Sequence, residues 1–111
     1  MSQSTDRALR DQTLDGLLAE AAAALHPLAT IEDCQRLDAE LRDAIRVLAD
    51  QVRTEMRRLP PGGIDWNRRD QALLAAQNTL TGTLGDGLLS AARQVAALGR
   101  RARELREIAG Q

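Results

Sequence analysis

Arginine is the residue whose type and spacing could do chemistry in this chain. In the stretch RRLPPGGIDWNRR, Arg57 and Arg58 precede Pro60-Pro61-Gly62-Gly63, and Arg68 and Arg69 follow it. The only aromatic side chain, Trp66, stands just before the second pair. A guanidinium presents five donors in a planar fork that matches carboxylate and phosphate oxygens. Two such pairs flanking a bend suit an anion clamp or simply the elbow between two helices, and the tryptophan either folds back onto the bundle end or anchors a protein interface, where Trp and Arg concentrate binding energy. All 15 basic residues are arginine. The absence of lysine reads first as the coding bias of a GC-rich genome, and only second as selection for the fork.

Catalytic chemistry finds fewer candidates. His26 is the single histidine and Cys34 the single cysteine, so neither a histidine metal pair nor a zinc spacing exists. The two flank one short loop, which makes a Cys-His dyad conceivable. Cys34, however, falls on an apolar stripe at helical spacing, which marks it as a core thiol. Glu32 and Asp33 read as helix-capping acids. The run Gly82-Thr83-Leu84-Gly85-Asp86-Gly87 lacks the lysine and the preceding strand of a phosphate loop. The expectation is a protein with no catalytic residues, no metal and no cofactor.

Apolar residues are 43% of the chain, with Leu and Ala dominant and Phe and Tyr absent. Strands favour β-branched and aromatic side chains, so this composition predicts helix nearly throughout. A net charge of −1 gives the whole molecule no pull toward nucleic acid or membrane, and any such binding must come from a local patch. One cysteine excludes an intramolecular disulfide and fits a reducing cytoplasm. The N-terminal stretch has no signal-peptide pattern, and no apolar run approaches the roughly 18 residues of a membrane span. A cytoplasmic protein that does not contact membrane is expected.

Hydrophobic periodicity divides residues 1–111 into one domain of four helices, at about 5–25, 31–59, 66–82 and 87–109. The first carries Leu9, Leu14, Leu17, Leu18, Ala21, Ala22 and Leu25 on one face and stops at His26-Pro27. Thr30-Ile31-Glu32-Asp33 reads as a capping box for the second. Its apolar residues, Cys34, Leu37, Leu41, Ala44, Ile45, Leu48, Val52, Met56 and Leu59, step by three and four in a near-heptad seam. Asp38 and Arg42 form an i,i+4 pair on its wet side. Asp65 is expected to cap the third helix, with its seam at Trp66, Leu73, Ala76, Leu80 and Leu84. Asp86 is expected to cap the fourth, whose register runs Leu88, Ala91, Val95, Leu98, Ala102, Leu105 and Ala109.

Four amphipathic helices with short connections imply an all-α, four-helix up-down bundle with long heptad-like second and fourth helices. That topology brings the end of the second helix, the start of the third, the end of the fourth and the start of the first to one pole. Eleven arginines, including Arg7, Arg10, Arg57, Arg58, Arg68, Arg69, Arg100 and Arg101, then face seven acids there, leaving four arginines against nine acids for the rest. Arginines in last helical turns complement the helix dipole, whereas Arg68 and Arg69, in the first turns of the third helix, have no such explanation.

The stretches EMRRLPPGGIDWNRRDQALLAAQNTL and LLSAARQVAALGRRARELREIAG resemble, within residues 31–109, a family of small actinobacterial helical proteins of unknown function associated with natural-product biosynthesis. The resemblance implies a helical fold and transfers no catalytic residue. The expected function is non-enzymatic: a regulator or adaptor that binds a protein partner, a second copy in a homodimer included, through Arg57, Arg58, Trp66, Arg68, Arg69, Arg100 and Arg101. The alternative is an anion-binding module in which these arginines hold a nucleic acid backbone or a phosphorylated ligand.

Overall fold

The computed structural model describes residues 2–23 and 30–111, with side chains from Thr13 onward. Four helices follow one another, α1 (Ser2–Ala23), α2 (Ile31–Met56), α3 (Ile64–Leu80) and α4 (Leu88–Ile108), and they alternate in direction as expected. The expected stop at His26-Pro27 and the position of Leu25 lie outside the described residues.

The capping box at α2 forms as the sequence predicts. The Thr30 hydroxyl oxygen accepts from the Asp33 amide at 3.0 Å, and the Asp33 carboxylate accepts from the Thr30 amide at 3.2 Å. The other two expected caps do not form. Gly63 is the N-cap of α3, because the Gly63 amide closes a turn onto the Pro60 carbonyl at 3.1 Å with Gly62 at φ +79. The helix therefore starts before Asp65, which falls in its first turn. Gly87 takes the N-cap position of α4, and Asp86 makes no side-chain cap.

The core is one cluster of aliphatic side chains with Cys34 among them. From α2 come Leu37, Leu41, Ile45, Ala49 and Val52, and from α4 Val95, Leu98, Ala102 and Leu105. The spacing selects all of these but Ala49; on α4 it also misses the buried Ala92 and Ile108 and selects Leu88, which is 39% exposed at the helix start. The most extensive helix–helix contact is between α2 and α4, the two helices that point the same way. Helices α1 and α3 each pack on both members of this pair and, among the described residues, do not touch one another. The bundle is consequently flattened to 44 × 35 × 16 Å instead of square in section.

Small residues make that flattening workable. Gly99 lies where α4 crosses α1, and an added Cβ would stand 2.8 Å from the Ala21 Cβ. Gly16 in α1 has nothing within 4 Å of the same construction. One substitution should therefore give opposite signs at the two sites. Gly16→Ala is expected to stabilise by about 0.5–1 kcal/mol through helix propensity. Gly99→Ala should destabilise by about 1 kcal/mol or more through overpacking. Paired urea denaturation curves of the two variants check this.

Arg42 differs from its expectation. It is not on the wet side: its side chain and that of Asp38 are largely buried. Its Nε donates to both Asp38 carboxylate oxygens at 3.1 Å, and its two terminal nitrogens donate to the Leu80 and Gly82 carbonyls at 2.6 Å each. The last carbonyls of a helix lack partners of their own, and an arginine from α2 supplies them to α3. With the Thr79 carbonyl also taken by the Gln94 side chain at 2.9 Å, α3 ends at Leu80. Leu84, expected in its seam, instead packs on the core from the following loop.

Candidate functional site

The chain leaves α2 through a short turn in which the Arg58 amide donates to the Glu55 carbonyl at 3.0 Å and the Leu59 amide to the Met56 carbonyl at 3.1 Å. Pro60 cannot donate and ends the ladder. The elbow that follows returns the chain into α3, and the C-terminal end of α4 lies beside it. Three helix ends thus meet at one tip.

The two arginine pairs of the elbow separate in the structure. Arg57 and Arg58 are exposed, and neither has an ion pair among the described residues. Arg68 is exposed, with one long hydrogen bond from its guanidinium to the Gln111 side-chain oxygen at 3.4 Å. Arg69 is 2% exposed. Its Nε donates to Glu55 Oε1 at 3.2 Å, and its terminal nitrogens donate to the carbonyls of Asp65 (3.2 Å), Ile108 (3.2 Å) and Gln111 (2.7 Å). Glu55 completes the clasp by accepting from the Gly110 amide at 2.7 Å. Arg69 is thus the C-cap of α4 supplied from α3, and its donors are turned inward. This corrects its expected place in an external anion clamp. A cation in the first turns of a helix looks misplaced from sequence, and the resolution is that it answers the dipole of a different helix.

Arg100 and Arg101 do not reach the elbow. They precede the end of α4 by about two turns, roughly 11 Å along the axis. Arg100 is exposed on the shaft, while Arg101 is partly buried and paired with Glu104 at 2.8 Å. The side chains of Arg7 and Arg10, expected at the same pole, lie outside the described residues.

Trp66 is half-buried, and neither the core cluster nor the half-buried apolar side chains packed on it include the indole. The expected α3 seam thus loses its first member, and Arg69, Leu73 and Ala76 are the buried residues of that helix. Ile64, two positions earlier, is 81% exposed, the most exposed large apolar residue among those described. Sequence reasoning passed over it. The signal available was its position directly after Gly-Gly, ahead of the first seam residue. The tip therefore combines a bare isoleucine, a half-covered indole and three exposed guanidinium groups, with Asp65 and Glu107 as exposed acids at the same end.

Other candidate chemistry is placed differently. Cys34 is fully buried, and burial, with a smaller contribution from the Asp33 charge, pushes its thiol pKa up, the opposite of nucleophile activation. Among the described residues no group of three or more His, Cys, Asp and Glu is arranged to hold a metal ion. Nor is any described helix long and apolar enough to cross a membrane.

Comparison with known proteins gives one result. Residues 6–111 match a family described as a family of unknown function (DUF6415). No curated protein and no solved structure matches the chain.

Proposed function

For a chain that belongs to this family of unknown function, we propose a non-enzymatic role as a regulator or adaptor that docks an acidic protein segment on the elbow tip. The observation that carries the reading is Ile64, 81% exposed at the start of α3, one helical turn from the exposed Arg68 and just past the elbow that carries the exposed Arg57 and Arg58. An apolar side chain held in water on a rigid helix start gains free energy when a partner covers it, at about 25 cal/mol per Å² removed from water. Arginines around it steer acidic partners and set orientation more than raw affinity. The setting we assign is the cytoplasm of an actinobacterium, in natural-product biosynthesis, on the resemblance carried by residues 31–109.

The competing reading, a nucleic acid backbone or phosphorylated ligand held by the arginines, loses support from the inward turn of Arg69 and the distance of Arg100 and Arg101. The two readings part on Ile64. Immobilised wild-type protein and its Ile64→Asp variant are each exposed to host extract, and captured protein and nucleic acid are quantified. Protein capture should fall about tenfold or more with Ile64→Asp, as for a central apolar anchor. Capture of nucleic acid that ignores Ile64 and collapses with added salt would overturn the docking role in favour of phosphate binding.

A further inference from the structure

We propose that the two tips of the bundle are complementary and that a second copy of this chain docks head to tail, its far tip seated on the elbow. This rests on the reading of the elbow as a docking surface and names one occupant for it.

The far tip is built from the starts of α2 and α4. The two helices run in the same direction, and Glu55 fixes their register by accepting from the Gly110 amide. Counted back along each axis, Ile31 lies about 36 Å and Leu88 about 33 Å from that pin, so the two helix starts are level within a turn. Ile31, Leu88 and Leu89 are there 48%, 39% and 60% exposed. The large exposed apolar residues among those described thus gather at the ends, Ile64 at one and these three at the other, with Val47 and Leu74 on the shafts.

Charge divides in the matching sense. Glu32 and Asp86 are exposed at the far tip and, among the described residues, have no ion pair, while Asp33 is held in the capping box at the start of α2. The nearest arginine on α2, Arg36, is tied to Glu20 at 2.5 Å and Glu40 at 3.2 Å. On α4, Arg93 follows a turn and a half later and is exposed. The elbow shows a basic excess: Arg57, Arg58 and Arg68 are exposed there against the exposed acids Asp65 and Glu107. Like tips repel and unlike tips attract, which disfavours a two-fold dimer joined through one tip and favours head-to-tail contact.

Two consequences follow from the shape. An end of about 35 by 16 Å offers a contact at the low end of specific interfaces, so association is weak and concentration-dependent. Each contact also leaves one elbow and one far tip free, so the assembly does not close at two.

The test uses the wild-type chain, Ile64→Asp and Leu89→Asp, all at exposed side chains, in sedimentation velocity over a range of concentrations. Wild type should gain average mass with concentration at low salt and lose it as salt rises. Each variant alone should remain monomeric, and an equimolar mixture of the two should form a one-to-one dimer that grows no further, since each contributes the tip the other lacks. Strictly monomeric wild type at every concentration overturns the proposal, as does a dimer that Leu89→Asp leaves intact. Capture of host protein separates the readings. If Leu89→Asp keeps full capture while wild type never self-associates, the elbow still docks a foreign partner and only the head-to-tail proposal falls. If Ile64→Asp changes neither capture nor mass, both fall.

Discussion

Replacing Arg69 with alanine is expected to destabilise the protein by about 3 kcal/mol, the lower end of what removal of one partner from a buried ion pair costs. The guanidinium is 2% exposed and serves Glu55 and three backbone carbonyls on two helix ends. Its loss takes the guanidinium donor from the Gln111 carbonyl, leaves the Ile108 carbonyl with only the Gln111 amide at 3.3 Å, and leaves Glu55 with the Gly110 amide and a long bond from the Gln51 side chain at 3.5 Å. Buried acceptors left unpaired cost more than the bonds contribute when made. The lower end applies because Glu55 retains a 22% exposed side chain and can recruit water. At about 4 °C per kcal/mol for a domain of this size, the thermal midpoint should fall by about 12 °C. Arg69→Lys should recover little, since one ammonium cannot span acceptors on three segments. Arg68→Ala, one residue away and exposed, should stay within about 0.5 kcal/mol. Thermal melts of the three variants check this, and equal midpoints for Arg68→Ala and Arg69→Ala would refute the clasp.

Leu98→Ala should cost about 3 kcal/mol, within the 2–5 kcal/mol usual for buried leucine truncation. Leu98 is fully buried in the central α2/α4 layer. A flat molecule without Phe or Tyr has few other bulky groups that could shift into the space. Against a total stability of about 5–15 kcal/mol, that is a large fraction. Leu74→Ala, at a half-exposed position on α3, serves as the control and should change stability by less than about 0.5 kcal/mol. Urea denaturation reads both, and a shift in midpoint at unchanged slope for Leu98→Ala identifies a cavity, not a change in compactness.

Much of the architecture was legible because it is written in local chemistry. The period of Leu37, Leu41, Ile45 and Val52 and that of Ala91, Val95, Leu98, Ala102 and Leu105 define faces that any packing must bury. Thr30 and Asp33 satisfy each other within one turn, so their box needs nothing from elsewhere. What could not be read depends on partners distant in sequence. Arg42 looks like half of a surface pair with Asp38 until the end of α3 is set against it, 38 and 40 residues away. Arg69 looks like a misplaced cation until the end of α4 arrives, 39 and 42 residues away. The caps at Asp65 and Asp86 failed for the complementary reason: an acid is a good N-cap only if the backbone starts its helix there, and Gly63 and Gly87 set the starts. Ile64 escaped notice because exposure is a property of the assembled bundle, and its position after Gly-Gly, outside the expected seam, was the one local sign of it.

The separation of α1 from α3 bears on how the molecule comes apart. Neither outer helix leans on the other, so either can loosen while its counterpart keeps its seat, and any cooperativity between them must pass through the central pair. α3 buries only Leu73, Ala76 and the Arg69 side chain and is buckled at its two ends by Arg42 and Arg69. It behaves as a strut fastened at its tips, so loss of either buckle loosens the end it holds while the packing of Leu73 and Ala76 keeps the middle seated.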